Sequence, residues 1–209
     1  MKVAIVDDHE LIIEGIASIL KSNGKFKVEK FFDASTIIKE METGKVYDFY
    51  IIDLELPDVD GFVLIEMIRV HDPVAHIIVN TVHDELWTLR KLLSREVNAI
   101  VYKSGKGEEI VTAINEIVKG NNYYCEAVRN AMAKVEDASC FPTLRELDVL
   151  YRIAQGKTTR EIAADLFVSD NTVEAHRRSL FHKLGAVNMV DLVVKAIAKG
   201  YIKKSGSIR

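Results

Sequence analysis

The sequence predicts an α/β fold, a five-stranded parallel sheet doubly wound with helices, followed by an all-α helix-turn-helix unit of four helices. Three observations carry this. Short apolar runs rich in β-branched residues alternate with helical periodicity through residues 1–119, the pattern of a parallel sheet covered on both faces. The apolar run Phe49-Tyr50-Ile51-Ile52 leads straight into Asp53 and a Pro/Gly turn ending at Gly61. From residue 142 onward strand patterns stop, and only helices bounded by capping residues and glycines remain.

Taken in order, a strand at 2–6 leads to a helix of about 9–22, with Leu11, Ile12, Ile16, Ile19 and Leu20 on one stripe and Asn23-Gly24 as its stop. A strand at 26–32 runs into Asp33-Ala34-Ser35, an N-cap, and a helix to about Met41 that Gly44 closes. The central strand carries four consecutive apolar residues and should be buried on both faces. A helix of 62–70, a strand at 76–80, a helix of 84–95, a strand at 98–102 and a helix of 107–119 complete the first unit. Residues 120–141 lose the alternation and read as a linker with one short helix near 125–135 and a flexible Asp137-Ala138-Ser139. Beyond it, Thr143 and Glu146 are spaced as a capping box for a helix that Gly156 stops. Thr158 and Glu161 repeat that spacing on a second, short helix; Phe167-Val168 turn the chain; Ser169 caps a third helix of 170–184; a fourth runs from about 188 to 199.

In open parallel sheets, ligands bind beyond the carboxyl ends of the strands. There this chain places Asp7-Asp8, Asp53, Thr81 and Lys103, each directly after a strand. Three carboxylates at one edge repel one another unless a hard cation joins them, and Mg²⁺ takes oxygen ligands from carboxylates, phosphate and water. An acid pair, a lone Asp, a hydroxyl and a Lys together make a site for placing phosphate on a carboxylate. A lone Asp after a strand is more often a cap or turn residue, so the reading rests on the five together. Asp58 and Asp60 read as turn residues beside Gly61, and His9, His71 and His76 form no zinc-ligand cluster.

With these residues, and the run Asp53-Leu54-Glu55-Leu56-Pro57-Asp58-Val59-Asp60-Gly61, the chain resembles the receiver domain of two-component response regulators. The resemblance implies that Asp53 is the phosphoacceptor. It implies further that Asp8, Asp53 and the backbone carbonyl of Glu55 hold Mg²⁺ with Asp7 as a pocket acid, that Lys103 pairs with the phosphoryl oxygens, and that Thr81 bonds one of them. Glu55 and His83 are implied to flank the attacking water. Receivers usually carry an aromatic residue where this chain has Ile100, and Tyr102 has the opposite strand parity, so an aromatic readout is not expected.

Net charge is −3, but residues 142–209 hold 12 Lys+Arg against 7 Asp+Glu, whereas residues 1–141 hold 16 against 24. An acidic front and a basic back suggest a regulatory module joined to a nucleic-acid-binding one. The back half resembles the LuxR-type helix-turn-helix domain of NarL/FixJ response regulators, through Thr143 to Leu150, Glu161-Ile162-Ala163, Leu166, Val168 to His176 and Lys183-Leu184-Gly185. The third helix is then the one that enters the major groove. Asn171, Glu174, Ala175, Arg177, Arg178 and Lys183 are expected to face it, with Arg178 foremost. Glu174 stands where the family usually has Lys; it either accepts from a cytosine amine or pairs with Arg178 at i+4. Met189 replaces a usual Arg. Dimerisation through the fourth helix (Leu192, Val193, Ala196, Ile197) is implied.

The expected organisation is a receiver at 1–119, a linker at 120–141 and the DNA-binding domain at 142–209. The expected partners are a sensor histidine kinase, double-stranded promoter DNA, RNA polymerase and a second copy when phosphorylated. No 18-residue apolar run exists and the N-terminus turns acidic too early for a signal peptide, so a cytoplasmic protein that does not engage membranes is expected, with Cys125 and Cys140 as free thiols. The function expected is a transcription factor controlled by phosphorylation, not an enzyme. The alternatives are a phosphorylation-independent regulator and a phosphatase-like enzyme with an aspartate nucleophile.

Overall fold

The computed structural model describes residues 1–133 and 141–202. Two units are distinct, residues 1–83 with 92–129, and residues 84–91 with 130–209. Cys140 and the Asp137-Ala138-Ser139 stretch lie outside the described residues.

The first unit is a parallel sheet in the order β2-β1-β3-β4-β5-β6, formed by β1 (Lys2–Val6), β2 (Lys27–Phe31), β3 (Phe49–Ile52), β4 (His76–Thr81), β5 (Ala99–Tyr102) and β6 (Tyr123–Tyr124). Between the strands run α1 (Glu10–Ser22), α2 (Ala34–Glu42), α3 (Gly61–His71), α4 (Leu86–Leu93), whose residues up to 91 group with the second unit, and α5 (Glu108–Val118). On one face Val3, Ile5, Phe49, Ile51, Ile78, Ala99 and Val101 pack against α1 and α5. Successive strand residues point to opposite faces, and the alternates Ala4, Val6, Tyr50, Ile52, Ile77, Val79 and Ile100 are equally buried. β3 is therefore apolar on both faces along its whole length, as its run of apolar residues required, whereas β4 ends on the buried polar pair Asn80 and Thr81.

Two details differ from the sequence reading. The stripe of α1 that enters the core is Ile13, Ile16, Ala17 and Leu20, while Leu11 is exposed. Residues 120–129, read as the start of a linker, belong to the first unit. Tyr123–Tyr124 adds a sixth strand beside β5, Cys125 donates its amide to the Ile100 carbonyl at 3.1 Å, and Val128 of α6 (Glu126–Ala133) is buried. Cys125 is a buried free thiol.

The second unit contains α7 (Leu144–Ala154), α8 (Thr159–Leu166), α9 (Asp170–Leu184) and α10 (Met189–Ala198). Leu147, Leu150, Ile153, Ile162, Val173, Leu180, Leu184 and Leu192 form its core. Both capping boxes are present in full, Thr143 with Glu146 and Thr158 with Glu161, and Ser169 caps α9 by accepting from the Thr172 amide. No helix among the described residues is long and apolar enough to cross a membrane.

Candidate functional site

The parallel register sets Val6 beside Ile52 and Ile52 beside Val79, so the chains leaving β1, β3 and β4 emerge together at the carboxyl edge. Asp53 and Asp7 are the first residues past their strands, and both are buried. The Asp53 amide donates to the Val6 carbonyl at 2.9 Å, and the Lys103 amide donates to the Thr81 carbonyl at 2.8 Å, which extends the sheet bonding as far as the site.

Lys103 Nζ lies 2.8 Å from Asp53 Oδ2 and 2.7 Å from Asp7 Oδ2, with side-chain exposures of 8% for the Lys and 2% for each Asp. Asp53 Oδ1 accepts from the Leu54 amide at 2.8 Å, and Asp7 Oδ1 accepts from the His9 amide at 2.9 Å. One ammonium thus serves two buried carboxylates. Burial pushes the Asp53 carboxyl up from its ordinary value, against the opposing pull of Lys103. Burial also works against the Lys103 ammonium, but its bonds to Asp53 and Asp7 hold its pKa above the ordinary range.

Asp8, half-exposed, completes the acid group, and ligand atoms of Asp7, Asp8, His9 and Asp53 all lie within 4.8 Å of one another. The uncompensated negative charge and the predominance of carboxylate oxygens fit a hard divalent cation such as Mg²⁺. His9 was not singled out from the sequence as part of this group. Its ring Nδ1 is 2.6 Å from Asp8 Oδ1, and its position directly after the acid pair was the available signal. Thr81 ends β4 fully buried, and its hydroxyl oxygen accepts from the His83 amide at 3.1 Å. The His83 ring meets Glu55 Oε1 at 2.9 Å, so the two residues expected to flank the attacking water touch each other. Ile100 is buried within β5, consistent with the absence of a swinging aromatic at that position.

The loop after Asp53 is held by two further devices. A Cβ on Gly61 would lie 2.6 Å from Leu54 Cα and 2.7 Å from the Asp53 carbonyl oxygen, so only glycine lets the chain fold back so closely. Asp58 does more than turn the chain. It accepts from the amides of Ala34 at 3.0 Å and Ser35 at 2.7 Å and from the Ser35 hydroxyl, which ties the loop to the start of α2 and holds its carboxyl down at about 2. Asp60 caps α3 through the Phe62 amide at 2.7 Å.

The helix-turn-helix comprises α8 and α9. Val173, Leu180 and Leu184 are buried, whereas Asn171, Ala175 and Arg178 are exposed along the opposite side of α9. Three expectations change. Lys183 does not face outward with these residues; its Nζ lies 2.7 Å from Glu146 Oε2, a pair with side-chain exposures of 19% and 6%. Glu174 pairs with Arg177 at i+3 and not with Arg178. Arg177 in turn donates to Thr159 Oγ1 at 2.7 Å and lies only partly exposed. Arg160, passed over in the sequence, is 91% exposed near the start of α8. Its signal was a cation on the first helix of the motif.

Residues 3–115 match the family model described as response regulator receiver domain, and residues 143–196 match that of bacterial regulatory proteins of the luxR family. The nitrate/nitrite response regulator protein NarP of Escherichia coli is 30% identical over 90% of this chain and 91% of its own length. The fold is similar to a structure of two RcsB dimers bound to two parallel DNAs, with 29% identity, a TM-score of 0.68 and coverage of 93% of this chain and 97% of that one. It is also similar to RcsB from Salmonella enterica serovar Typhimurium bound to promoter rprA in the presence of the phosphomimetic BeF3⁻, with 30% identity, a TM-score of 0.66 and coverage of 93% and 97%.

Proposed function

This chain belongs to the NarL/FixJ-type response regulators, phosphorylation-controlled regulators of transcription that bind DNA, and on that premise we propose that Asp53 is its phosphoacceptor. The observation that carries this is the buried Lys103 bridging Asp53 and Asp7 at 2.8 and 2.7 Å. A phosphoryl group arriving from the phosphohistidine of a partner kinase forms an O–P bond to the Asp53 carboxylate as its P–N bond breaks. Lys103 is a point charge already held at the acceptor oxygen, placed to neutralise the phosphoryl oxygens. Thr81 supplies a hydroxyl at the next strand end. Asp8, Asp53 and the Glu55 carbonyl, with Asp7 as a pocket acid, would hold Mg²⁺, which when bound offsets negative charge on the transferring group.

The proposed division is a receiver at 1–119, a linker at 120–141 and a DNA-binding domain at 142–209. The family matches at 3–115 and 143–196 support it, while the pairing of β6 draws the first linker residues toward the receiver. In the second domain α9 reads promoter DNA, with Asn171, Ala175 and Arg178 foremost. Leu192 and Ala196, expected to pair two copies, are buried in the domain's own core with Val193 and Ile197 packed against it, whereas Val187, Val190 and Val194 are exposed at and before α10 and favour pairing of two copies there; RcsB binds DNA as a dimer. RNA polymerase is the partner through which such binding acts on transcription. The protein works as a cytoplasmic switch whose signal is the aspartyl phosphate itself, a covalent state that lasts until it hydrolyses.

The test is labelling by acetyl phosphate with Mg²⁺. Wild type is expected to take up one phosphoryl group, and Asp53→Ala or chelation of Mg²⁺ to abolish uptake. Undiminished labelling of Asp53→Ala would overturn the assignment.

A further inference from the structure

Glu174 occupies an unusual place for an acid. It lies in the first half of the helix that enters the groove, flanked in sequence by exposed Ala175 and one turn from exposed Asn171 and Arg178. A carboxylate facing DNA meets the phosphate field and costs affinity unless it receives a hydrogen bond there. Its side chain is 41% exposed, and Oε1 accepts twice, from Thr159 Oγ1 at 2.8 Å and from Arg177 Nη1 at 2.6 Å. Arg177 also donates to Thr159 Oγ1 at 2.7 Å, which closes a triangle joining α8 to α9. The Arg177 Nε is buried without a partner among the described residues, so the guanidinium is held in this pose by its other bonds. A free glutamate gives up rotamer freedom when it binds; this one is already ordered, with Oε1 occupied and Oε2 left for a further donor.

We infer that Glu174 is a specificity-determining residue that accepts a hydrogen bond from the N4 amine of a cytosine in the major groove, with Arg177 and Thr159 as the groups that position it. The inference rests on the DNA-binding reading above. Base edges offer two amine donors in that groove, cytosine N4 and adenine N6. Adenine sets the acceptor N7 beside its amine, which suits an amide side chain; a carboxylate has only acceptors and would face the N7 lone pair. Cytosine presents its amine without that conflict on the same base. Thymine and guanine offer only acceptors there.

The experiment is selection from a random duplex pool by the full-length protein treated with acetyl phosphate. It compares wild type with Glu174→Gln, Glu174→Ala and Arg177→Met. Wild type should select cytosine at one position of each half-site, and changing that base should weaken binding by about tenfold. Glu174→Gln should move the preference at that position alone from cytosine to adenine, and Glu174→Ala should erase it. Arg177→Met should blunt it while the other positions keep their preferences, an outcome a merely structural pair would not give. If all four proteins select the same sequence, Glu174 only braces α8 against α9 and the inference fails. If wild type selects no common sequence, the DNA-reading assignment of α9 fails with it.

Discussion

Lys183 and Glu146 illustrate what one buried pair does in the second domain. Glu146 accepts from the Thr143 amide at 2.6 Å and from Lys183 Nζ at 2.7 Å, so it closes the cap of α7 and anchors α9 at once. Burial pushes its carboxyl up, but the bonds from Lys183, Ser179 and the Thr143 amide outweigh this and leave its pKa below the ordinary 4.5. A carboxyl lowered on folding stabilises the fold above its unfolded pKa, and that contribution is lost as pH falls through the lowered value. Unfolding followed against pH should therefore show stability declining below about pH 4.5, and Glu146→Gln should flatten that decline. Lys183→Met should cost about 3 kcal/mol in denaturant unfolding, because a buried carboxylate is left without its cation. Phe167 offers the opposite case. It ends α8 in the left-handed region at φ 55° while 95% exposed, so it holds a strained backbone with almost no burial in return. Phe167→Gly should raise stability by about 1 kcal/mol in the same measurement.

Among elements, the loop between β3 and α3 is the one that sets the position of Asp53, the proposed acceptor. Gly61 admits the close return of the chain, and Asp58 fastens the loop to α2. Gly61→Ala should displace the backbone of Asp53 and Leu54 and slow labelling by acetyl phosphate about tenfold or more, with far-ultraviolet circular dichroism unchanged. A normal labelling rate would show that the loop tolerates the shift. The strands, the helices and the caps were legible in the sequence because each depends on neighbours a few residues apart: alternation, a Ser or Thr with a Glu three residues on, a glycine at a stop. β6 was not, since two residues are too few to form a pattern and its bonds come from β5. The partner of Glu174 was hidden for a similar reason. Arg177 and Arg178 are both within helical reach, and what decides between them is Thr159, fifteen residues earlier on another helix.

At the scale of the molecule, the acidic first part and basic second part suit the two tasks proposed for them, holding a cation with phosphate and meeting DNA. The five residues Asp7, Asp8, Asp53, Thr81 and Lys103 could be assembled from sequence because a parallel sheet brings every strand end to one edge. The DNA-facing set could not be fixed in the same way: long cations such as Lys183 turn toward whichever acid the core leaves unsatisfied. Arg160→Ala should lower the dependence of log affinity on log salt by about one, without changing the preferred sequence, as expected where the first helix of the motif crosses the DNA backbone. Phosphorylation control of DNA binding turns on coupling between the proposed acceptor and α9. Its most direct test is the affinity of the full-length protein for its selected promoter DNA with and without acetyl phosphate and Mg²⁺, measured for wild type and for Asp53→Ala. Phosphoryl donor should tighten binding about tenfold or more for wild type and leave Asp53→Ala unchanged; equal affinities in all four conditions would contradict it.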